Sequence, residues 1–444
     1  MIPLHFSNPS VDPTRRADAH TSNTGAPMPE QHRPSRLRGV ARHGRLRRRG
    51  PARAALTVIA SALAVALVST VSVAAIAVRD VTSSVSSVAL GNAGDVPEEG
   101  ISAMAGGANI LLVGSDQRDP DSQVDAGVVD GVRNDVNILI HLSEDHSQLT
   151  AVSFPRDMMI DRPACTGDDG VAHEAASYQQ FNTLYELGGV NCTVSAVEQL
   201  TGLSVFYAGM ITFDGVIEMS NALGGVDVCV TNRIRDTDTG LDLSAGTHSL
   251  QGKDALEFLR TRHGVGDGSD LARISSQQVF LSSMMRKIIS GGTLSSPTTL
   301  YKLASAALSN MTLSTSLSSP DTLVSLALSL NGLSPADIVF VQYPVVDDPD
   351  QYGRVVPAEA DAAVLEAALQ SDQKFTVGDD AVGRGSEAAA GDETVPPVET
   401  TPAVPDPTAT DAPAVPAPTT TTLPSTITGQ TAAESTCSVG SSSY

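Results

Sequence analysis

The chain has 444 residues, 4% of them aromatic and none of them tryptophan. Large core-forming side chains are therefore scarce for a chain of this length. The formal net charge of −22 is unevenly divided: residues 1–53 hold 11 basic and 3 acidic residues, and the remainder holds 17 basic and 47 acidic residues. This asymmetry predicts two environments for one chain. It argues against nucleic acid as a partner of the acidic part, because nucleic-acid binding needs a basic surface.

The N-terminal part is predicted to anchor the chain in a membrane. Residues 1–53 are polar and basic, so we expect a disordered cytoplasmic leader. Residues 54–78 carry no charge and are long enough to span a bilayer as a transmembrane helix. The arginines before them place the N-terminus inside, which makes the chain a single-pass protein of the cell membrane with an extracytoplasmic domain. A cleaved signal peptide is the alternative, although the apolar run exceeds the usual length.

A linker over residues 79–106 is predicted to lead to a folded domain over residues 107–376. This domain opens with three short apolar runs, which are typical of buried strands. The runs are residues 109–116, 133–140 and 149–154. Charged residues stand at their ends: Asp116 and Arg118 at the first, Arg133 and Asp135 at the second, Arg156 and Asp157 at the third. Ligands of open α/β sheets bind just outside strand ends, so these positions are candidates for a site.

Helical and strand patterns alternate along the rest of the domain, which predicts an α/β fold with a largely buried sheet. Helices are expected at 174–187, 194–200, 213–223, 252–262, 271–289, twice within 297–330, and at 358–369; strands are expected at 205–211, 226–230 and 338–341. Residues 377–444 are rich in Pro and Thr, which predicts a disordered tail.

The four cysteines agree with an extracytoplasmic location. A disulfide between Cys165 and Cys192 would contribute roughly 3–4 kcal/mol in the chain-entropy model. The pairing of Cys229 and Cys437 cannot be deduced from their positions. No pair of cysteines has the spacing of a zinc site.

Arginines form the most unusual feature of this otherwise acidic domain. They are Arg118, Arg133, Arg156, Arg260, Arg262 and Arg273. Exposed Arg–Asp pairs are common and contribute little to stability, so each pair alone has an ordinary structural explanation. Together they favour a compact polyanion site such as one for pyrophosphate, where Asp116 and Asp135 could hold Mg²⁺ against phosphate oxygens. The sequence contains no P-loop, nucleophile elbow or His-Glu-x-x-His motif.

Six short motifs occur in an order that resembles the LytR-CpsA-Psr family, and the resemblance covers about residues 107–290. The motifs are Gly114-Ser115-Asp116-x-Arg118, Arg133-x-Asp135, Pro155-Arg156-Asp157, Asn182 with Gly188-Gly189, Arg260-x-Arg262, and Asp270 with Arg273 and Gln277-Gln278. The resemblance implies an α/β/α sandwich with a central mixed β-sheet and an apolar lipid pocket. It implies a membrane-anchored phosphotransferase that moves a glycopolymer from a polyprenyl-pyrophosphate carrier onto peptidoglycan. The leader, cysteines and tail are similar to those of actinobacterial members.

The same resemblance implies a role for each matched residue. Asp116 and Asp135 would bind Mg²⁺ (or Mn²⁺), and one of the two, with Asp116 the better candidate, would also take the proton of the attacking hydroxyl. The expected pyrophosphate-binding and catalytic residues are Arg133, Arg156, Arg260, Arg262 and Arg273, with substrate contacts from Arg118, Asp157 and Gln277. One departure concerns Ser275-Ser276, which stand where members often have an arginine before the paired glutamines.

Several alternatives stay open at this point. The chain could instead be a lipid-pyrophosphate hydrolase, or a non-catalytic wall-binding or regulatory protein with the same fold. Asp157 could be the structural partner of an arginine, and Arg118 could pair with Asp119 or Asp121. The low-polarity stretches 280–289 and 300–330 could line an acyl groove or simply form core.

Overall fold

A computed structural model describes residues 86–91, 106–116, 132–290, 297–318, 320–330, 332–378, 381–389 and 421–441. All of them belong to one compact unit, Ser69–Tyr444. The predicted leader and the predicted membrane span at 54–78 lie outside the described residues. Among the residues described, no helix is both long enough and apolar enough to cross a membrane.

The described chain contains strands, α-helices and short 3₁₀ turns. The strands are β1 (Ser86–Val88), β2 (Ala108–Ser115), β3 (Asn134–Leu142), β4 (Leu149–Ser153), β5 (Met159–Arg162), β6 (Cys165–Thr166), β7 (Ala172–His173), β8 (Ala176–Gln180), β9 (Tyr207–Ile211), β10 (Val226–Val230), β11 (Ile234–Asp236), β12 (Leu241–Leu243), β13 (Gly246–Leu250), β14 (Met311–Ser314), β15 (Ile338–Gln342), β16 (Val345–Asp347), β17 (Val355–Pro357), β18 (Phe375–Thr376), β19 (Ser386–Ala388), β20 (Thr421–Thr422), β21 (Gly429–Thr431) and β22 (Thr436–Ser438). The helices are α1 (Leu184–Thr201), α2 (Phe213–Leu223), α3 (Lys253–Arg260), α4 (Asp270–Ser290), α5 (Pro297–Asn310), α6 (Pro320–Ser329) and α7 (Glu359–Gln370), with 3₁₀ turns at Phe181–Thr183 and Pro335–Asp337.

The main sheet has eight strands in the order β1-β14-β9-β2-β3-β4-β15-β21. It is mixed: β2 pairs antiparallel with β3 but parallel with β9, and β4 pairs parallel with β15. The three apolar runs predicted at the start of the domain are β2, β3 and β4, and they lie side by side. Their charged ends are therefore brought close together.

Alternation of side chains across the main sheet creates two cores. The first core includes Leu111, Leu139, Val152, Val197 and Leu365. The second core includes Ile110, Ile138, Ala151, Leu308 and Leu313. Successive strand residues point to opposite faces, so helices α1 and α7 cover one face while α5 and its neighbours cover the other. The predicted α/β/α sandwich with a central mixed sheet is confirmed.

A second sheet, ordered β13-β10-β22-β19, packs against α3 and α4. Its core includes Val226, Val228, Phe258 and Val279. Strand β22 comes from near the C-terminus and pairs parallel with β10, while β21 extends the main sheet by pairing antiparallel with β15.

The prediction of a disordered tail over 377–444 is therefore wrong for residues 381–389 and 421–441. Leu423 and Ile427 are fully or almost fully buried. The average composition of the tail concealed these residues, and the open edge of β15 supplies backbone hydrogen-bonding groups that β21 satisfies. The predicted linker is also too long, because β1 pairs with β14 and Leu90 is buried in the first core.

Helix α1 corrects two sequence predictions. Residues 174–187 were expected to be one helix, but β8 and a 3₁₀ turn occupy 176–183 and α1 begins only at Leu184. Separate helices were expected at 174–187 and 194–200, but α1 continues to Thr201, with non-helical backbone angles at Gly188 and Gly189. The spacing of the aromatic residues within 174–187 is compatible with a helix and also with a strand followed by a turn, so helical periodicity alone was misleading.

Both disulfides lie in the described structure. Cys165 pairs with Cys192, as proposed from the sequence, and Cys229 pairs with Cys437, which sequence left open. The second bond crosses the second sheet between registered positions of β10 and β22. It therefore ties the end of the chain to the middle of the domain.

Candidate active site

An apolar cavity of about 430 Å³ lies between the main sheet and helices α2, α3 and α4. Its apolar lining includes Leu112, Val136, Ile138, Val216, Met219, Leu256, Phe280, Leu281, Met284 and Met311. Its polar lining includes Asp135, Arg156, Asp236, Asp238, Arg260, Arg262, His263, Arg273 and Gln277. An apolar pocket with a few convergent charged groups is the usual form of a site for a ligand with an apolar body and a charged head.

Four charged residues form a network beside this cavity. Arg156 Nη1 lies 2.8 Å from Oδ1 of Asp135, and its backbone N–H donates to Oδ2 of Asp270 at 3.1 Å. Arg273 Nη2 lies 2.7 Å from Oδ1 of Asp270 and donates to the carbonyl oxygen of Asp135 at 2.7 Å. Asp270 is the first residue of α4, a position where a carboxylate is stabilised by the helix dipole. The network fixes Arg156 and Arg273 relative to each other.

Arg156 keeps its positive charge although it is largely buried. Burial disfavours the charge of Arg156, but Asp135, Asp270 and Asp157 outweigh it and raise the pKa of Arg156 above its ordinary value. Within the described part of the chain, the buried Nε–H groups of Arg156 and Arg273 donate to no protein acceptor. Nε of Arg156 instead lies 3.8 Å from Oδ2 of Asp157 and 3.7 Å from Oδ1 of Asp270, so the surrounding carboxylates hold the guanidinium group in place.

Arg260 and Arg262 stand on either side of the end of helix α3. The helix ends because Thr261 adopts an extended conformation with φ −60° and ψ 134°. The guanidinium carbon of Arg260 lies 4.4 Å from the centre of the Phe213 ring, a cation–π contact. Nε of Arg262 donates to the carbonyl oxygen of Gly268 at 3.1 Å. Both arginines are thus held in place beside the cavity.

Asp236 organises this turn by accepting hydrogen bonds from it. Its Oδ2 accepts from the Thr261 hydroxyl at 2.7 Å and from the backbone N–H groups of Arg262 at 3.0 Å and His263 at 3.1 Å. Burial tends to raise the pKa of the Asp236 carboxyl, but these hydrogen bonds prevail and the pKa is lowered. Asp236 is therefore ionised and holds the turn at neutral pH.

Asp116 and Asp135 lie at the same end of the adjacent strands β2 and β3. The register shifts at Gly114 and Ser115, so that Asp135 is the extra residue of a β-bulge. Bulges redirect side chains, and many occur beside functional sites. Oδ1 of Asp116 accepts the backbone N–H of Arg133 at 2.7 Å, which ties the two strand ends together.

A model of the LytR_cpsA_psr family matches residues 77–371, about two thirds of the chain. The chain belongs to the LytR-CpsA-Psr family.

Curated relatives of this LytR-CpsA-Psr chain are cell-wall proteins by name. Cell wall biosynthesis protein LcpA of Corynebacterium glutamicum is 30% identical over 286 residues, which cover 57% of this chain and 53% of LcpA. The polyisoprenyl-teichoic acid–peptidoglycan teichoic acid transferase TagT of Bacillus subtilis is 30% identical over 185 residues, 40% of this chain and 52% of TagT. The chain spans about half the length of each. A solved LytR-Csp2A-Psr enzyme from Actinomyces oris superimposes with a TM-score of 0.47 at 25% identity, covering 64% of this chain and 95% of that one.

Most of the site residues predicted for this family member come together. Asp135, Arg156, Arg260, Arg262, Arg273 and Gln277 all line the cavity. Asp116 directly follows Ser115, which lines it, and the exposed Arg133 adjoins Asp116. Arg118 lies outside the described residues. The predicted acyl groove is formed in part: Phe280, Leu281 and Met284 line the cavity, whereas Met311 is the one lining residue among those described from 300–330.

Asp157 does not belong to the cavity lining. It is buried, accepts from Gln180 Nε2 at 2.8 Å and pairs with Arg354 Nη1 at 2.5 Å. This agrees with the alternative that Asp157 is the structural partner of an arginine, and that arginine is mainly Arg354. Ser275 and Ser276 also point elsewhere: Ser275 bonds back to the Leu271 carbonyl oxygen, and Ser276 meets Ser438 of the C-terminal strand at 2.6 Å. They do not take the place of the arginine that the family resemblance led us to expect there.

Sequence reasoning missed Asp236 and Phe213 as site residues. Asp236 ends the polar stretch Asn232-Arg-Ile-Arg-Asp236 and precedes a Thr-Asp-Thr-Gly turn, a pattern that equally fits a surface turn. Phe213 was predicted only as the first residue of a helix. Neither position carries a local signal, because each acts through a residue far away in sequence.

Proposed function

We propose that this chain is a membrane-anchored phosphotransferase that moves a glycopolymer from a polyprenyl-pyrophosphate carrier onto peptidoglycan and releases polyprenyl phosphate. One observation carries the proposal: a single cavity combines a long apolar lining with Arg156, Arg260, Arg262 and Arg273. The apolar part suits a prenyl chain and the guanidinium groups suit a pyrophosphate. The name of TagT supports this class of donor and acceptor, and the name of LcpA supports a role in cell wall biosynthesis.

The reaction needs charge neutralisation and positioning more than covalent chemistry from the protein. An acceptor hydroxyl attacks the phosphorus that carries the glycan, the bond from that phosphorus to the bridging oxygen breaks, and polyprenyl phosphate leaves. The product is a phosphodiester between glycan and acceptor. Arg156 and Arg273 would stabilise charge on the pyrophosphate oxygens, assisted by Arg260 and Arg262.

Asp116 is the residue to which we assign acceptance of the hydroxyl proton. Asp135 is the weaker candidate, because its carboxylate is engaged by Arg156 at 2.8 Å. Arg133, joined to Asp116 at the strand ends, is an exposed cation placed to attract the anionic substrate.

A divalent cation, Mg²⁺ or Mn²⁺, fits the residues present. Asp116 and Asp135 offer carboxylate oxygens from adjacent strand ends. The described residues hold no group of three or more His, Cys, Asp or Glu side chains suited to a metal. Magnesium is commonly held by one or two carboxylates together with substrate phosphates. When bound, it would neutralise charge on the phosphate oxygens.

The test uses the full-length protein in detergent, with a polyprenyl-pyrophosphate glycan, a peptidoglycan acceptor and Mg²⁺. We expect glycan on the acceptor and release of polyprenyl phosphate, both abolished by Arg156→Ala and strongly reduced by Arg156→Lys, which keeps the charge but loses the bidentate geometry. Release of lipid phosphate without transfer would support a hydrolase, and tight lipid binding without turnover would support a binding protein. We also propose that residues 54–78 form the membrane anchor, and deletion of residues 1–78 should release the protein from membranes.

A further inference from the structure

The loop that follows Arg262 is bonded to the end of the chain. The N–H of Gly266 donates to the carbonyl oxygen of Val439 at 2.9 Å, and the N–H of Ser441 donates to the carbonyl oxygen of Gly264 at 2.8 Å. Val265 and Gly440 form an antiparallel bridge between them. We call residues 436–441 the C-terminal strap and residues 262–268 the arginine loop.

The strap itself is firmly fixed to the second sheet. Asn232 clamps Gly440 from both sides: its Nδ2 donates to the Gly440 carbonyl oxygen at 3.1 Å and its Oδ1 accepts the Gly440 N–H at 2.6 Å. The N–H of Thr231 donates to the carbonyl oxygen of Ser438 at 3.0 Å, and the disulfide joins Cys437 to β10. The strap is therefore a rigid support rather than a loose end.

The arginine loop is held on its other side by Asp236, which accepts the backbone N–H groups of Arg262 and His263. The guanidinium of Arg262 is in turn oriented by the loop, since its Nε donates to Gly268, whose own N–H donates to the Val265 carbonyl oxygen at 2.9 Å. A shift of Val265 would therefore be passed through Gly268 to the Arg262 side chain.

We infer that the C-terminal strap is a positioning element of the active site, because it holds the arginine loop in the conformation that presents Arg262 to the ligand. The strap lies beyond residue 371, where the match to the family model ends. The inference about ligand binding rests on the proposed function, whereas the inference about loop order does not. Misplacement of a binding group by about 1 Å is enough to lower activity up to roughly a hundredfold.

The first test removes the strap contacts while keeping the disulfide. A chain that begins at residue 1 and ends at Ser438 lacks residues 439–444, including Val439, Gly440 and Ser441, but retains Cys437. Hydrogen exchange should become faster in the arginine loop, at Gly266 above all, while exchange in β2, β3 and β4 stays as in the wild type. Unchanged exchange at Gly266 would overturn the inference whatever the enzyme's substrate proves to be.

A matched pair of glycine variants tests the same contact with a single methyl group. In Gly440→Ala the new Cβ would lie 2.2 Å from the carbonyl oxygen of Arg233, so the strap must move. In Gly378→Ala the new Cβ meets nothing within 4 Å, which makes this variant the control. With geranylgeranyl pyrophosphate as probe, Gly440→Ala should weaken binding by roughly tenfold and Gly378→Ala should leave it unchanged.

A double-mutant cycle separates positioning from general stabilisation. If the strap acts through Arg262, the strap deletion should weaken binding of the probe by roughly tenfold in the wild type and by less than about twofold in Arg262→Ala. Equal losses in both backgrounds would show that the strap only stabilises the fold and would overturn the inference. Failure of the wild type to bind the probe would count against the proposed function, and the exchange experiment would still decide the role of the strap.

Discussion

Arg156 and Asp135 meet at 2.8 Å although they come from the ends of different strands, Arg156 after β4 and Asp135 at the bulge of β3. Asp135 contributes most among the carboxylates that raise the pKa of Arg156. Asp135→Asn removes this charge and frees the guanidinium, so it should reduce transfer by at least roughly a hundredfold while the fold is retained. Initial rates and circular dichroism spectra of the two proteins check this.

Asp227→Asn is the control for that variant, since Asp227 is an exposed acid on a strand of the second sheet, away from the cavity lining. It removes the same charge and should keep the wild-type rate. Comparable losses in both variants would mean that net charge, and not the Arg156 pair, governs the reaction.

Substitution of Asp116 should alter the dependence of glycan transfer on Mg²⁺. Asp116→Asn removes one of the two proposed carboxylate ligands, so the Mg²⁺ concentration for half-maximal transfer should rise by roughly tenfold or more. Arg133→Ala keeps both proposed carboxylate ligands and the backbone N–H that donates to Asp116, so it should leave that concentration nearly unchanged. Titration of activity with Mg²⁺ after chelation measures both. A metal-independent wild type would refute the proposed cofactor.

Asp157 should matter for stability rather than for ligand binding. Its carboxylate is buried and pairs with Arg354 at 2.5 Å, so Asp157→Ala leaves that cation without its partner. Breaking a buried pair costs about 3–5 kcal/mol, and the partial exposure of Arg354 places the expected loss at the lower end. Urea unfolding should show this loss, and affinity for geranylgeranyl pyrophosphate should change by less than about threefold. A large loss of affinity in a folded variant would restore Asp157 to the substrate site.

The pairing of Asp157 with Arg354 shows what the sequence could and could not predict. The strand ends with Asp116, Asp135 and Arg156 were predictable, because apolar runs with charged ends identify both the strands and the edge at which they meet. The partner of Asp157 was not, since 197 residues separate it from Arg354 and no local pattern links them. Contacts of this kind depend on packing between elements.

The C-terminal strands show the same limit for the fold. The predicted core strands depend on periodicity within a few residues, so β2, β3, β4 and β15 were found. Strand β22 is three residues long and is stabilised by β10, β19 and a disulfide, none of which its own residues reveal. The prediction of a disordered tail was based on the average composition of residues 377–444, which hid the ordered strands near its end.

Asp236 should give the protein a specific sensitivity to acid. Its pKa is lowered in the folded state, so its contribution to stability is present above its ordinary value of 3.8 and is lost as pH falls through the lower, folded value. Asp236→Asn should therefore cost about 1.5–3 kcal/mol at pH 7. The difference from the wild type should shrink below pH 3.8. Unfolding free energies at pH 7 and pH 3 measure this, and a pH-independent difference would contradict it.

Filling the apolar cavity should separate recognition of the prenyl chain from recognition of the pyrophosphate. Val216 lines the cavity, so Val216→Trp would occupy space that a long chain needs. Binding of geranylgeranyl pyrophosphate should weaken by roughly tenfold or more, while binding of the short dimethylallyl pyrophosphate should change little. Val171→Trp, at a residue that is 50% exposed, adds the same side chain outside the cavity and should affect neither. Equal losses for both lipids in Val216→Trp would mean that the cavity shapes the phosphate site and does not hold the chain.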